Sequence, residues 1–351
     1  MHTFPPLLSL LLLSRVTAFT FDSPIVPAAL TDPQAIELLS KITPVDVTVP
    51  TTIARNGRIT VTYTLHKHKG SPPSSLPPIV LLHGFDSSCL EFRRLGPKLC
   101  ASVDVYSVDI QGWGFGECNP SSNDKKFGAS LFKAHYTDKA NDNILSFSAE
   151  TKLKVLRAFV EQFISAPTIS VLGASLGGAL ALDYATTYSS STHSLILLDA
   201  QCSVDGLDPV AAALPPSLMR LGVTGVLKKK WLRNVANQAS YVDREKFATE
   251  DALICGGLHC ENSGWADAMV DFMSSGGFSP SQKVKTLECN SLVVWGAEDK
   301  ILPVSDAEKF VGLMTKVELK ERLIVDRAGH VPHLERPEVV AEGIVNFWAK
   351  F

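Results

Sequence analysis

Nowhere does this sequence offer the ~20 consecutive apolar residues that a membrane-spanning helix needs. Its apolar stretch from Leu7 to Leu13 stops far short, so no stable membrane span is expected. Positive charge is not in excess either: 33 Lys and Arg stand against 36 Asp and Glu, for a net charge of −3. A nucleic-acid-binding domain carries a basic face, so no nucleic-acid partner is expected. The run Lys228-Lys229-Lys230 is short and reads as a solvated helix face. Cysteine is sparse and odd in number, at seven, which excludes a dense disulfide framework. Cys255 and Cys260 stand beside His259 in "CGGLHC", but no second ligand pair follows at a zinc-binding spacing. The thiols are therefore expected to be free, and no metal site is assigned.

Two phosphate-binding signatures are also missing. There is no G-x-x-x-x-G-K-[ST] run, and "DIQGWGFG" places Glu117 where a dinucleotide fingerprint needs its third glycine. Nucleotide cofactors are therefore not expected. No internal repeat is found.

What is present is apolar mass, at 45% of 351 residues, enough for one large core. At the N-terminus, Leu7 to Leu13 and the small-residue site Val16-Thr17-Ala18 read as a removable signal segment over 1–18. Phe19 directly after that site resembles the plastid-targeting leader of algae with secondary plastids, which implies a plastid destination; plain secretion is the alternative. Residues 19–45 read as a linker or transit remnant, although Asp32 to Lys41 has the makings of a short helix. Two β-branched runs around Asn56-Gly57 signal a hairpin.

From Pro78 onward short apolar runs alternate with helical stretches. The runs are "PIVLLHGF", "VDVYSVDIQG", "TISVLGAS", "SLILLDA", "SLVVWGAED" and "LKERLIVDRAGH", and the helices include 148–163 and 178–188. Near-continuous apolar strands imply a mostly parallel sheet covered by helices on both faces. About 80 residues after Cys202 lack any strand signal and are helix-like. They read as a helical cap inserted at 202–284 into a core formed by 46–201 and 285–351.

Within "SVLGASLGGALALDYA", Gly173 to Gly177 form a G-x-S-x-G pentapeptide between a strand-like and a helix-like run. Such a turn either cradles a phosphate at a helix start or holds a nucleophilic serine. No lysine lies near it, which leaves the serine. A serine hydroxyl needs a base, and the base an orienting carboxylate; in this architecture the chain order is Ser, Asp/Glu, His. "WGAEDKILP" offers Glu298 and Asp299, and "AGHVPHLERP" offers His330 and His333. Both runs end strands, where side chains reach the carboxyl edge of the sheet.

The order "HGF", "DIQGWGFG", "GASLGG", "WGAEDKILP" and "AGHVPHLERP" resembles the α/β-hydrolase superfamily in its branch with a helical cap, over about Pro78 to Phe351. The stretches from "LLHGFDSSCLEFR" through "GGLHC" to "DFMSSGG" look especially like plant and algal chloroplast members. That resemblance implies an α/β fold with a mostly parallel, eight-stranded sheet flanked by helices. It implies Ser175 as nucleophile, Asp299 as acid and His330 as base, with Asp199 as the runner-up acid otherwise read as a helix cap. The amides of Phe85 and Leu176 are the implied oxyanion donors, and His83 a structural tie. Single histidines such as His135 and His259 read as core or surface residues. The chemistry implied is hydrolysis of a fairly apolar small-molecule ester without metal or cofactor. Carbon–carbon or thioester hydrolysis, acyl transfer, and a receptor that does not turn over are the alternatives, and oligomeric state is left open. Met219, Leu227, Trp231, Phe272 and Met273 are available to line a pocket, with plain cap core as the alternative.

Overall fold

Apolar strands of this kind must be covered on both faces, and the arrangement of the sheet meets that need. The computed structural model describes residues 26–70, 74–118, 144, 146–206 and 214–351. The signal segment and His135 lie outside the described residues.

The strands are β1 (Thr43–Thr48), β2 (Arg58–His66), β3 (Ile79–Leu82), β4 (Val105–Val108), β5 (Ile169–Ala174), β6 (Thr192–Leu198), β7 (Asn290–Gly296) and β8 (Lys320–Val325). They form one eight-stranded sheet in the order β1-β2-β4-β3-β5-β6-β7-β8. β2 is antiparallel to β1 and to β4, and every pairing from β4 to β8 is parallel. The period of two along each strand divides the core. Val80, Leu82, Leu195, Leu197 and Val293 face one side. Ile79, Leu81, Ile196, Leu198, Leu292 and Val294 face the other. Each such side chain contributes roughly 1.5–3 kcal/mol by leaving water.

The helices are α1 (Pro33–Ser40), α2 (Gly96–Leu99), α3 (Ala149–Phe163), α4 (Leu176–Thr187), α5 (Pro216–Gly222), α6 (Lys230–Ser240), α7 (Arg244–Phe247), α8 (Glu250–Gly257), α9 (Trp265–Ser274), α10 (Ser305–Leu313), α11 (Pro332–Glu335) and α12 (Pro337–Trp348). Val155 and Phe159 of α3 and the buried run of α4 cover the first face. Val340, Ile344 and Phe347 of α12 cover the second. Between β6 and β7 the described residues hold five helices, α5 to α9, and no strand.

Within the stretch 19–45, read as a linker or transit remnant, the short helix suggested at Asp32 to Lys41 is present as α1. Asp32 caps α1 by accepting from the amides of Gln34 and Ala35, and α1 buries Ala35, Leu38 and Leu39 against Cys89, Leu90 and Phe115. β1 then begins at Thr43 and pairs with β2 along its whole length. The hairpin exists, but Asn56-Gly57 is not its complete turn. The chain takes all of 49–57 to reverse, ending with Gly57 at φ 72 and the Asn56 side chain accepting from the Arg58 amide at 2.9 Å.

Candidate active site

Ser175 stands between β5 and α4 at φ 49 and ψ −122, a backbone conformation that costs a non-glycine residue of order 1–3 kcal/mol. The flanking glycines make it attainable. A Cβ on Gly173 would lie 2.3 Å from the Gly177 carbonyl oxygen, and one on Gly177 would lie 2.3 Å from that of His83. Both contacts are backbone, so no rotamer change relieves them. The Ser175 amide donates to the Leu198 carbonyl at 2.9 Å, tying the turn to the end of β6.

His330 and Asp299 arrive from the loops after β8 and β7. The His330 Nε2 lies 3.0 Å from Ser175 Oγ, and Nδ1 lies 2.8 Å from Asp299 Oδ2. The other Asp299 oxygen accepts from the amides of Ile301 and Leu302 at 2.8 and 3.1 Å. The His330 amide donates to the Ser240 carbonyl at the end of α6, so the inserted helices help place the ring. Glu298 is exposed. His333 is buried and turned toward Glu91, 3.3 Å from its Oε1.

The end of β3 borders the serine. A Cβ on Gly84 would lie 3.3 Å from that of Ser175, and Phe85 lines the same cavity as Ser175. Leu176, at the first position of α4, carries an amide that no intrahelical carbonyl can reach. His83 is a tie between strand ends: Nδ1–H donates to the Gly84 carbonyl at 2.9 Å, and Nε2 accepts from the Ile110 amide at 3.0 Å. Burial lowers its pKa, which suits a neutral ring with one donor and one acceptor nitrogen.

Among the described residues Asp199 caps no helix. It ends β6 at φ 43 and accepts from the Gly296 amide at 2.8 Å. Burial foremost pushes its carboxyl well above the usual range; the Gly296 amide opposes this and the charge of Asp299 adds to it.

Ser175, His330, Gly84 and Phe85 line a cavity of about 490 Å³. Of the five candidate lining residues only Leu227 faces it; the others found are Leu232, Ala236, Leu253, Ile301 and Leu334. Met219 is buried, Phe272 belongs to the main core and packs on Trp113, and Met273 packs against that core. Trp231 is 62% exposed, because the phase of α6 turns Leu232, Arg233, Ala236 and Ser240 to the cavity and leaves Trp231 on the opposite face.

One group escaped the sequence reading. Asp86, next to Phe85, is met by Arg233, His259 and Trp265, residues far apart in the chain with no spacing that links them. Among the described residues two trios bring metal-capable atoms within 4.8 Å of one another: Asp86, His259 and Cys260, and Asp199, Asp299 and His330. The Arg233 guanidinium already sits on Asp86 and Cys260. In the other trio both Asp299 oxygens are engaged by His330 and two amides.

The sheet, the strained serine and the inserted helices define an α/β hydrolase. The chain belongs to that family: the model of the alpha/beta hydrolase family matches residues 79–343. Among individual proteins, it is similar to the alpha/beta hydrolase domain-containing protein VTE7 of Arabidopsis thaliana, at 32% identity over 271 residues, 77% of this chain and 73% of that one. It is also similar to a 2-hydroxy-6-oxo-6-(2'-aminophenyl)hexa-2,4-dienoic acid hydrolase of Metapseudomonas resinovorans, at 21% identity, covering 78% of this chain and 84% of that one. A thermophilic esterase of Thermogutta terrifontis shares the fold with a TM-score of 0.64 at 19% identity, covering 88% of this chain and 98% of that one. No helix among the described residues is long and apolar enough to cross a membrane.

Proposed function

We propose that this chain is a serine hydrolase that cleaves a neutral, fairly apolar carboxylic ester through an acyl-enzyme. The observation that carries the reading is the unbroken line Ser175 Oγ, His330, Asp299, with steps of 3.0 and 2.8 Å, at the floor of an apolar cavity. In this reading His330 Nε2 takes the Ser175 proton as Oγ attacks the ester carbonyl, and Asp299 holds the ring in the tautomer that leaves Nε2 free. The developing oxyanion is met by the amides of Phe85 and Leu176. His330 then gives the proton to the leaving alcohol and activates the water that frees the acid.

The charges around the cavity favour a neutral substrate. Both arginines that line it are engaged: Arg93 with Asp32 at 2.9 Å, and Arg233 with Asp86. Among the described lining residues no arginine is left to receive a substrate carboxylate. That argues for an ester over a dienoic acid of the kind in the name of the Metapseudomonas relative. The inserted helices are read as a cap over the cavity, and the leader as a plastid address, supported by its apolar run and the Phe19 that follows the small-residue site.

The test is turnover of p-nitrophenyl esters by the parent and by Ser175→Ala. Removal of a triad serine costs on the order of a million-fold in subtilisin, and a loss of that order is expected. Equal turnover by the two sinks the reading. Ligand-induced thermal stabilisation that survives the substitution, with no ester turned over by either protein, favours a receptor instead. A fluorescent fusion of residues 1–50 that accumulates outside plastids refutes the address.

A further inference from the structure

The loop after β3 is pinned to the core on both sides of Asp86. The Gly84 amide donates to Glu91 Oε2 at 3.0 Å, and the Ser87 carbonyl accepts from the Gly114 amide at 3.2 Å. Between those pins stand Phe85, the proposed oxyanion donor, and Asp86, at φ 50. A non-glycine residue stays in that left-handed region only when its surroundings over-determine it.

The partners of the Asp86 side chain all belong to the inserted helices. Asp86 Oδ1 accepts from Trp265 Nε1 at 2.7 Å and pairs with His259 Nε2 at 2.8 Å. Oδ2 accepts from Arg233 Nη2. Arg233 is fixed in turn, with Nη1 donating to the Gly256 carbonyl at 2.6 Å and Nη2 to Cys260 Sγ at 2.8 Å. The three donors come from α6, from the turn after α8 and from the start of α9. The network is dry, with the Asp86 side chain 8% exposed and that of His259 fully buried. Burial works to raise the Asp86 pKa, yet the charge and hydrogen bond of His259, the charge of Arg233 and the Trp265 donor hold it below its ordinary value. Burial lowers the His259 ring, but the charges of Cys260 and Asp86 and their hydrogen bonds raise it to about 10. A carboxylate facing two cations in a dry site is a strong and directional tie.

We infer that Asp86 is a positioning residue through which the seated inserted helices hold the Phe85 amide in place for the oxyanion. When Arg233, His259 and Trp265 engage its carboxylate, the strained turn is retained and the amide beside it is fixed. When those helices lift, the carboxylate loses its donors and the turn relaxes. Completion of the oxyanion site is thereby tied to closure over the substrate. This rests on the hydrolase reading above.

The experiment uses the full chain with Asp86→Asn and, because that change strands two cations and can compromise folding, with Trp265→Phe, which removes one donor and keeps an aromatic ring. Removal of a whole oxyanion donor costs about 10²–10³ in kcat. Displacing one is expected to lower kcat about 10-fold in Trp265→Phe and up to about 100-fold in Asp86→Asn. KM should stay within about twofold, and affinity for a boronic acid that mimics the tetrahedral adduct should fall in step with kcat. Amide exchange in the peptide spanning residues 84–88 should accelerate at least about tenfold in the same variants. A merely structural role would lower Tm and leave the kcat of the folded protein unchanged. Parental kcat in a folded Trp265→Phe protein overturns the inference, as does unchanged exchange at 84–88. If the parent turns over no ester, the hydrolase reading fails by itself, and the exchange measurement still decides whether the inserted helices hold this loop.

Discussion

Replacing Asp299 with asparagine tests the proposed mechanism at one atom. The two oxygens of Asp299 have different partners: Oδ1 accepts from two backbone amides, Ile301 and Leu302, and Oδ2 faces His330 Nδ1. In Asp299→Asn only one oxygen remains. Turning the new NH2 group toward the amides would set donors against donors and leave two N–H groups unpaired, at about 1–3 kcal/mol each. The oxygen therefore stays on the amides, and the NH2 points at Nδ1. His330 must then accept at Nδ1 and carry its proton on Nε2, 3.0 Å from Ser175 Oγ, where a free lone pair is needed. The side chain keeps its volume and its backbone partners, so the fold should survive while the base is lost. The expected fall in kcat is about 10⁴-fold, near 5.5 kcal/mol of transition-state stabilisation. The assay is kcat/KM on a p-nitrophenyl ester, with the thermal melt as a check on folding. A folded Asp299→Asn protein within tenfold of the parent would refute the tautomer argument and the role of Asp299 with it.

Asp199→Asn should behave differently: it mimics the neutral form toward which burial drives this carboxyl, and it keeps an acceptor for the Gly296 amide. Ester turnover within about threefold of the parent is expected, and a loss near 10⁴ would mean that Asp199 orients the ring. Gly177→Ala should be severely destabilising, because its Cβ would lie 2.3 Å and 2.4 Å from the His83 and Leu82 carbonyl oxygens. Overpacking of this kind costs about 3 kcal/mol or more against immobile backbone, and a urea midpoint matching the parent would contradict the tight turn. Glu91 has its own signature in acid. Burial works to raise its pKa, but His333, His83 and the Gly84 amide bring it from 4.5 down to about 2. A depressed carboxyl stabilises the fold above its unfolded pKa, here by up to about 3 kcal/mol, and loses that as pH falls toward its folded value. The stability gap between the parent and Glu91→Gln should therefore shrink between pH 5 and pH 3, and a constant gap would contradict it.

The parts of the molecule that were legible in the sequence are those fixed by local constraint. Buried parallel strands must be apolar on both faces, so Ile79–Leu82, Ile169–Ala174 and Asn290–Gly296 announce themselves as short apolar runs. A strained serine needs small neighbours two residues away on each side, so Gly173 and Gly177 could be read in advance. Pro44 misled because its context is tertiary. It lies in β1, an edge strand, where a missing N–H does no harm, but in sequence it looks like part of a linker. Pro33, by contrast, opens α1 within the short helix that Asp32 to Lys41 suggests in sequence. Helix α6 misled for another reason. It carries apolar residues on both faces, Leu232 and Ala236 on one and Trp231 and Val235 on the other, and only the fold decides which face meets the cavity. The Asp86 network left no signal, since its members lie more than 140 residues from Asp86 and meet only in three dimensions.

The two carboxyls near His330 bear on why the proposed acid role is given to Asp299. Their oxygens and the ring nitrogen lie within 4.8 Å of one another, and two full charges at such a distance repel by about 3 kcal/mol at an effective dielectric of 20. Burial foremost raises the Asp199 pKa well above its ordinary value, and the charge of Asp299 adds to that. Asp299 has two amide donors and the imidazole, whereas Asp199 has a single amide. Donors to a carboxylate favour its charged form, and burial drives the Asp199 carboxyl toward its neutral form. In the proposed mechanism the imidazolium that forms during attack is met by Asp299 Oδ2 at 2.8 Å. The two amides that hold the other Asp299 oxygen keep that carboxylate turned to Nδ1, which leaves Nε2 directed at Ser175 Oγ.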